Sequence, residues 1–203
     1  MIYWNQQVSI SMLQAALDKD EVLLVSGDTV LGLCARLTQK SFDKINEIKQ
    51  RSRKPYLILV SSADKLNYFI DQELSEKLKT LIKTCWPGPV TLVFKAKPSL
   101  ESWMISEEGT IAIRVPDHVG LLKLLSDYDG LFSTSANISS KPIPASIKSV
   151  DPEILRNIGA VCIDQGDDTE PQSPSTILDC STGEIQVLRP GVFSVETLQS
   201  IIG

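Results

Sequence analysis

The chain has 203 residues, with 20 Lys and Arg against 25 Asp and Glu for a formal net charge of −5, and 42% of it is apolar. That balance excludes a coat-like nucleic-acid binder, which needs an excess of cations, and it supplies enough apolar side chains for one packed domain rather than a disordered chain. The N-terminus has no basic stretch leading into an apolar run, and no window approaches 18 consecutive apolar residues. The expectation is therefore a single cytoplasmic domain over residues 1–203 with no membrane partner.

In chain order, Ser9 or Ser11 can cap a first helix whose apolar side holds Leu13, Ala16 and Leu17 and which ends near Asp20. An apolar run at 22–25 has strand length. Phe42, Ile45 and Ile48 recur at helical spacing, a strand follows at 56–60, and Ser61 or Ser62 can cap the helix after it. Leu74, Leu78, Leu81 and Ile82 mark a polar helix that stops at Trp86-Pro87-Gly88-Pro89, a strong breaker. Strands are predicted at 90–94, 111–115, 131–134, 161–163, 176–178 and 185–188, with helices at 118–128 and 195–202. The Pro-, Ser- and acid-rich stretch 164–174 reads as a surface loop. This alternation predicts an α/β protein with one main sheet and helices packed against it.

Cys34, Cys85, Cys162 and Cys180 are spread out with no CxxC pair, and His118 is the only histidine. These are read as buried thiols and a helix-start histidine, with no zinc site. GxGxxG, the Walker loop and the GxSxG elbow are all absent.

Chemistry concentrates elsewhere. Lys49-Gln50-Arg51-Ser52-Arg53-Lys54 places four cations in six residues at a helix end. They suit either the helix dipole or an anion grip. Hydroxyls and an amide crowd 133–140 after a short strand, and Gly27-Asp28-Thr29 follows another, where ligand crevices form. Arg114 follows Ala112 and Ile113 on an otherwise apolar strand and must meet an anion or a carboxylate, because an unpaired buried charge is costly. Ser175-Thr176 and Arg189-Pro190-Gly191 repeat that pattern later, and Asp28 could hold a magnesium-bound water.

Taken together, 27–33, Lys49-Gln50-Arg51, 86–91, 110–116, Ser135-Ala136-Asn137, 175–179 and Arg189-Pro190-Gly191 resemble, in order, the YrdC/TsaC family of L-threonylcarbamoyladenylate synthases. The likeness covers about residues 8–195 and is to the short, single-domain form. It implies an open, twisted mixed sheet flanked by helices around a deep, positively lined cavity. It also implies an ATP-dependent nucleotidyltransferase that joins L-threonine, bicarbonate or CO2, and ATP into threonylcarbamoyl-AMP and pyrophosphate, with Mg2+ screening the triphosphate. Downstream threonylcarbamoyl-transfer proteins then modify adenosine 37 of tRNA, and the chain itself has room for a weak tRNA contact.

By resemblance Lys49, Arg51, Ser135 and Asn137 form the catalytic signature. Lys49, Arg51, Lys54, Thr110, Asn137 and Arg189 serve ATP, and Thr29, Arg114, Ser135 and Ser175 face threonine or its carbamate. Arg114 suits the threonine carboxylate, since a guanidinium fork matches it. The chain departs from the family pattern with Gly27 for Pro, Leu31 for Tyr, Leu59 for His, Ser139-Ser140 for Ser-Gly, and a shortened interval before Lys54. Two other readings are an RNA-binding or ribosome-maturation factor of the same fold, and a divergent paralogue that forms a carbamoyl adenylate.

Overall fold

The computed structural model describes residues 1–51, 55–166, 173–194 and 197–198. The elements in chain order are β1 (Ile2–Tyr3), α1 (Ser9–Leu17), β2 (Leu23–Val25), β3 (Gly32–Arg36), α2 (Gln39–Lys49), β4 (Leu57–Leu59), α3 (Leu66–Phe69), α4 (Glu76–Cys85), β5 (Val90–Lys95), β6 (Thr110–Arg114), α5 (Val119–Leu125), β7 (Leu131–Ser135), α6 (Pro152–Asn157), β8 (Ala160–Ile163), β9 (Thr176–Asp179) and β10 (Gln186–Arg189). Short 3-10 turns lie at Ala63–Lys65, Ser102–Met104 and Ile147–Ser149.

The strands form one open sheet of order β1-β8-β2-β3-β7-β4-β6-β5-β9-β10, so the α/β expectation holds. The pairs β1/β8, β2/β8, β4/β6 and β5/β9 are parallel, and β2/β3, β3/β7, β4/β7, β5/β6 and β9/β10 are antiparallel. Two apolar layers cover it. Phe42 and Ile45 of α2, Leu66 and Phe69 of α3 and Leu81 of α4 join Phe94, Ile113 and Phe132 in the larger one. Leu13 and Leu17 of α1 join Leu121, Leu124 and Leu125 of α5 over Leu23 and Leu131 in the other. Full burial of such side chains contributes about 1.5–3 kcal/mol each. Among the described residues no helix is long and apolar enough to cross a membrane.

Local chemistry sets the boundaries. Thr38 caps α2 by accepting from the Ser41 amide, and Ser75 caps α4 through the Leu78 amide, leaving Leu74 before the helix. His118 caps α5 with Nδ1, which accepts from the Leu121 amide at 3.1 Å. Two cap expectations are corrected. Ser9 is the first residue of α1, with its hydroxyl on the Trp4 carbonyl, and Val8 occupies the cap position without a side-chain bond. Ser62 precedes the turn Ala63–Lys65 with no side-chain cap either. Of the expected closing helix at 195–202, only Thr197 and Leu198 lie within the described residues, and both are helical.

Strand β3 is the main element that the sequence hides. It sits between β2 and β7, pairing Leu24 with Leu33 and Ser133 with Cys34. Its glycine start and small residues give no alternation, because both faces are buried: Leu33 and Ala35 face the larger layer and Cys34 the smaller.

Candidate active site

A cavity of about 380 Å3 opens over the sheet, lined from Val25 of β2 across to Arg189 of β10. Arg114, at the end of β6, is only 4% exposed, and its surroundings decide its chemistry. Nη1 donates to Thr29 Oγ1 at 3.1 Å and Nη2 to Asp28 Oδ1 at 3.0 Å. The other Asp28 oxygen accepts from the Asp117 amide at 2.9 Å, which ties the turn after β6 to the loop after β2. Nε is buried and has no hydrogen-bond partner among the described residues. Burial pulls the Arg114 pKa down, and the Asp28 charge opposes that pull. The strand therefore delivers a guanidinium that is paired with one carboxylate and fixed in place, with two of its five N–H groups bonded.

Across the cavity Arg189 donates through Nη2 to the Ser175 carbonyl at 2.8 Å. The Ser175 hydroxyl lies 2.9 Å from Thr91 Oγ1. Both hydroxyls are buried and both residues line the cavity. Sequence reading assigned no role to Thr91, although the parallel register of β5 with β9 sets it opposite Ile177, two residues from Ser175. Its position in a buried apolar strand was the available signal.

A second, polar hollow adjoins the first and is lined by Lys49, Arg51, Ser135, Asn137 and Ser139. Gln50 ends α2 in the left-handed region (φ 49), and the chain turns back there so that the Arg51 amide reaches the Asn46 carbonyl. This puts Lys49 inside, 2% exposed, with Nζ donating to the carbonyls of Ser135 at 2.6 Å and Asn137 at 2.7 Å. The Ser135 hydroxyl donates to Asn137 Oδ1, and Asn137 Nδ2 donates to the Lys141 carbonyl at 2.6 Å. Ser140, standing where the family pattern has Gly, still takes a positive φ of 67. Burial first, and the Arg51 charge second, bring the Lys49 ammonium down to about 8. Arg51 lines both hollows and stacks over the Tyr56 ring at 5.0 Å.

Thr29, Lys49, Arg51, Arg114, Ser135, Asn137, Ser175 and Arg189 thus come together on two adjoining hollows. Thr110 does not join them: its hydroxyl is 2.8 Å from Ser106 Oγ, and it is absent from the residues lining either hollow. Lys54 lies outside the described residues. Lys49 is also more embedded than its place off the apolar face of α2 implies, so it cannot be removed without disturbing the loop it holds. Asp28, considered for a magnesium-bound water, is committed to Arg114 and the Asp117 amide. Among the described residues no three His, Cys, Asp or Glu side chains group as a metal site. Leu59 lines the cavity, whereas Leu31 is part of the larger apolar layer. The four cysteines are buried, and burial holds their thiols up at about 11 for Cys34 and Cys85 and about 12 for Cys162 and Cys180.

The family model described as Telomere recombination, of the Sua5, YciO and YrdC proteins, matches residues 15–191. The chain belongs to this Sua5/YciO/YrdC family. A Klebsiella pneumoniae member, named threonylcarbamoyl-AMP synthase, is 31% identical over 175 residues, 84% of this chain and 90% of that protein. The Bacillus subtilis member of the same name is 33% identical over 198 residues, 96% of this chain but only 56% of that longer protein. The structure of Pyrococcus abyssi Sua5 complexed with L-threonine superposes with a TM-score of 0.87 at 29% identity, covering all of this chain and 60% of that one. The chain therefore resembles the shorter family members over nearly their whole length and spans little more than half of the longer ones.

Proposed function

We propose that this protein is an ATP-dependent threonylcarbamoyl-AMP synthase, an adenylyl-transferring enzyme that acts in the cytoplasm. The observation that carries the reading is the convergence of Arg51, Arg114 and Arg189 on one cavity of about 380 Å3. It occurs in a chain whose relatives bear that enzyme's name. Three cations beside buried hydroxyls suit a site whose reactants are all anionic: ATP, carbamate and carboxylate.

The threonine amine first bonds to the carbon of CO2 and releases a proton, or to the carbon of bicarbonate and releases water, to give the carbamate. Arg114 faces the threonine carboxylate in the cavity, while Asp28 and Thr29 keep the guanidinium from turning. The Thr91–Ser175 hydroxyl pair and Ser135 serve the carbamate end. A carbamate oxygen then bonds to the α-phosphorus, and the bond from that phosphorus to the β-phosphate bridge oxygen breaks. Pyrophosphate leaves with the electron pair. Arg51, Arg189 and the loop of Ser135, Asn137 and Ser139, wound on Lys49, neutralise the charge that builds on the triphosphate. Mg2+ enters on the nucleotide as part of the substrate. No covalent intermediate with the chain is required, so the rate comes from positioning and fixed charge. Enclosure by the sheet and its loops shields the water-labile carbamate. Lys54, which lies outside the described residues, belongs to this reading as a further nucleotide contact, whereas Thr110 does not. The product passes to a threonylcarbamoyl transferase for tRNA, with any contact between this acidic chain and tRNA remaining weak.

The deciding experiment incubates the protein with ATP, labelled bicarbonate and L-threonine, omitting each in turn. Pyrophosphate and a labelled threonine adduct are expected only in the complete mixture. Pyrophosphate release without threonine would favour the carbamoyl-adenylate paralogue, and salt-sensitive RNA binding without turnover would favour the RNA factor.

A further inference from the structure

Arg51 is placed at the junction of the two hollows without help from a carboxylate: among the described residues no acidic side chain pairs with it. Its guanidinium instead lies over the Tyr56 ring, with Cζ 5.0 Å from the centroid. That ring is itself fixed. Tyr56 is 3% exposed, its hydroxyl donates to Asn46 Oδ1 at 3.0 Å, and Asn46 Nδ2 donates to the Phe42 carbonyl at 2.7 Å. Phe42 and Phe132 meet the ring edge-on at 5.7 and 6.1 Å. Asn46 also accepts the Arg51 amide through its own carbonyl, so one residue of α2 anchors both the backbone of the arginine and the ring under its side chain.

We infer that Tyr56 is a positioning residue that presents Arg51 to the triphosphate of the nucleotide, an inference that rests on the proposed ATP reading. A carboxylate partner would hold the arginine by consuming its in-plane N–H donors. A ring holds it by its face and leaves all of those donors free for phosphate oxygens. The hydroxyl contributes by locking the plane of the ring to α2, and it is spent on Asn46, so it does not contact the nucleotide. Tyr56 thus does for Arg51 what Asp28 and Thr29 do for Arg114, with the difference that it brings no carboxylate charge.

The test measures binding of α,β-methylene ATP, which cannot release pyrophosphate. The proteins compared are the wild type, Tyr56→Phe, Tyr56→Leu, Tyr56→Met, Arg51→Ala, and Arg51→Ala combined with Tyr56→Leu. Tyr56→Phe keeps the ring and is expected within about twofold of wild type, with a lower melting temperature from the lost Asn46 bond. Tyr56→Leu and Tyr56→Met, two apolar replacements of different shape, are expected to weaken binding about three- to tenfold. In the Arg51→Ala background Tyr56→Leu should weaken it no further, since neighbours acting through one contact are not additive. Nucleotide affinity that survives in Tyr56→Leu or Tyr56→Met overturns the inference while leaving the ATP reading intact. So does an equal loss in Tyr56→Phe, or an additional loss on top of Arg51→Ala. Failure of the wild type to bind nucleotide overturns the ATP reading and this inference with it.

Discussion

Lys49 and Asn137 lie 88 positions apart, yet the ammonium of one donates to the backbone carbonyl of the other at 2.7 Å, with the Ser135 carbonyl held at 2.6 Å on its other side. The lysine is therefore the post around which the serine–asparagine loop is wound. Lys49→Ala would take a buried ammonium away from two carbonyls of partly buried residues. It is expected to cost about 2–4 kcal/mol as well as abolish turnover. Arg51→Ala, on a half-buried side chain with no ion pair among the described residues, should lose turnover at nearly unchanged stability. Urea unfolding of both variants separates the two effects. A Lys49→Ala protein as stable as wild type would remove the post from the picture.

The same burial makes Lys49 a titrating group near working pH. Its folded value is about 8 against an ordinary 10.5, so between those values the unfolded chain holds a proton that the folded chain has lost. Stability from this group therefore rises with pH from about 8 to 10.5. Its charge leaves the phosphate hollow as pH rises through about 8, so ATP affinity should fall there. The buried thiols act with the opposite sign, because their folded values are raised from 9.0. Their contribution is complete below pH 9 and is lost as pH climbs toward 11–12. The Lys49 effect is thus read as a difference: unfolding free energy of wild type minus Lys49→Met should increase from pH 8 to 10, while wild-type affinity for ATP decreases. A flat difference would mean that the ammonium keeps its proton across that range.

Gln50 carries a φ of 49 directly between Lys49 and Arg51. A side chain in that region costs of order 1 kcal/mol, and glycine adopts it freely. Gln50→Gly also gives up the exposed bond to Glu153, which contributes little. The expected outcome is a protein more stable by roughly 0.5–1 kcal/mol with kcat unaltered. A fall in kcat at higher stability would show that the residue touches substrate.

Much of the site was legible because its residues sit where the chain has to turn. Lys49 and Arg51 flank a helix end, Ser135 and Asn137 follow a strand, and Arg114 interrupts an apolar run, a position that demanded a partner. The partner itself was not legible: Asp28 reaches Arg114 only because the order β2-β3-β7-β4-β6 folds the first loop over the end of β6. Strand β3 was hidden for a related reason, since a strand buried on both faces shows no alternation. Thr91 looked like one more β-branched residue in β5, and only the parallel pairing with β9 gives its hydroxyl a neighbour.

The Asp28–Arg114 pair separates two roles for the carboxylate. Both side chains are nearly buried, at 9% and 5% exposure, so removing one partner outright strands a charge at a cost of about 3–5 kcal/mol. Asp28→Asn is the informative change. It keeps an oxygen for the Arg114 Nη2 donor, removes the charge that pairs with the guanidinium, and turns the acceptor of the Asp117 amide into an NH2 group. If Asp28 acts by fixing Arg114 toward the amino-acid substrate, Asp28→Asn should raise the KM for threonine several-fold. The dependence of rate on Mg2+ concentration should stay where it is in wild type, because the metal then comes in on ATP. Initial rates over a grid of threonine and Mg2+ concentrations distinguish the cases. A shifted Mg2+ dependence at unchanged threonine KM would give Asp28 to the metal instead.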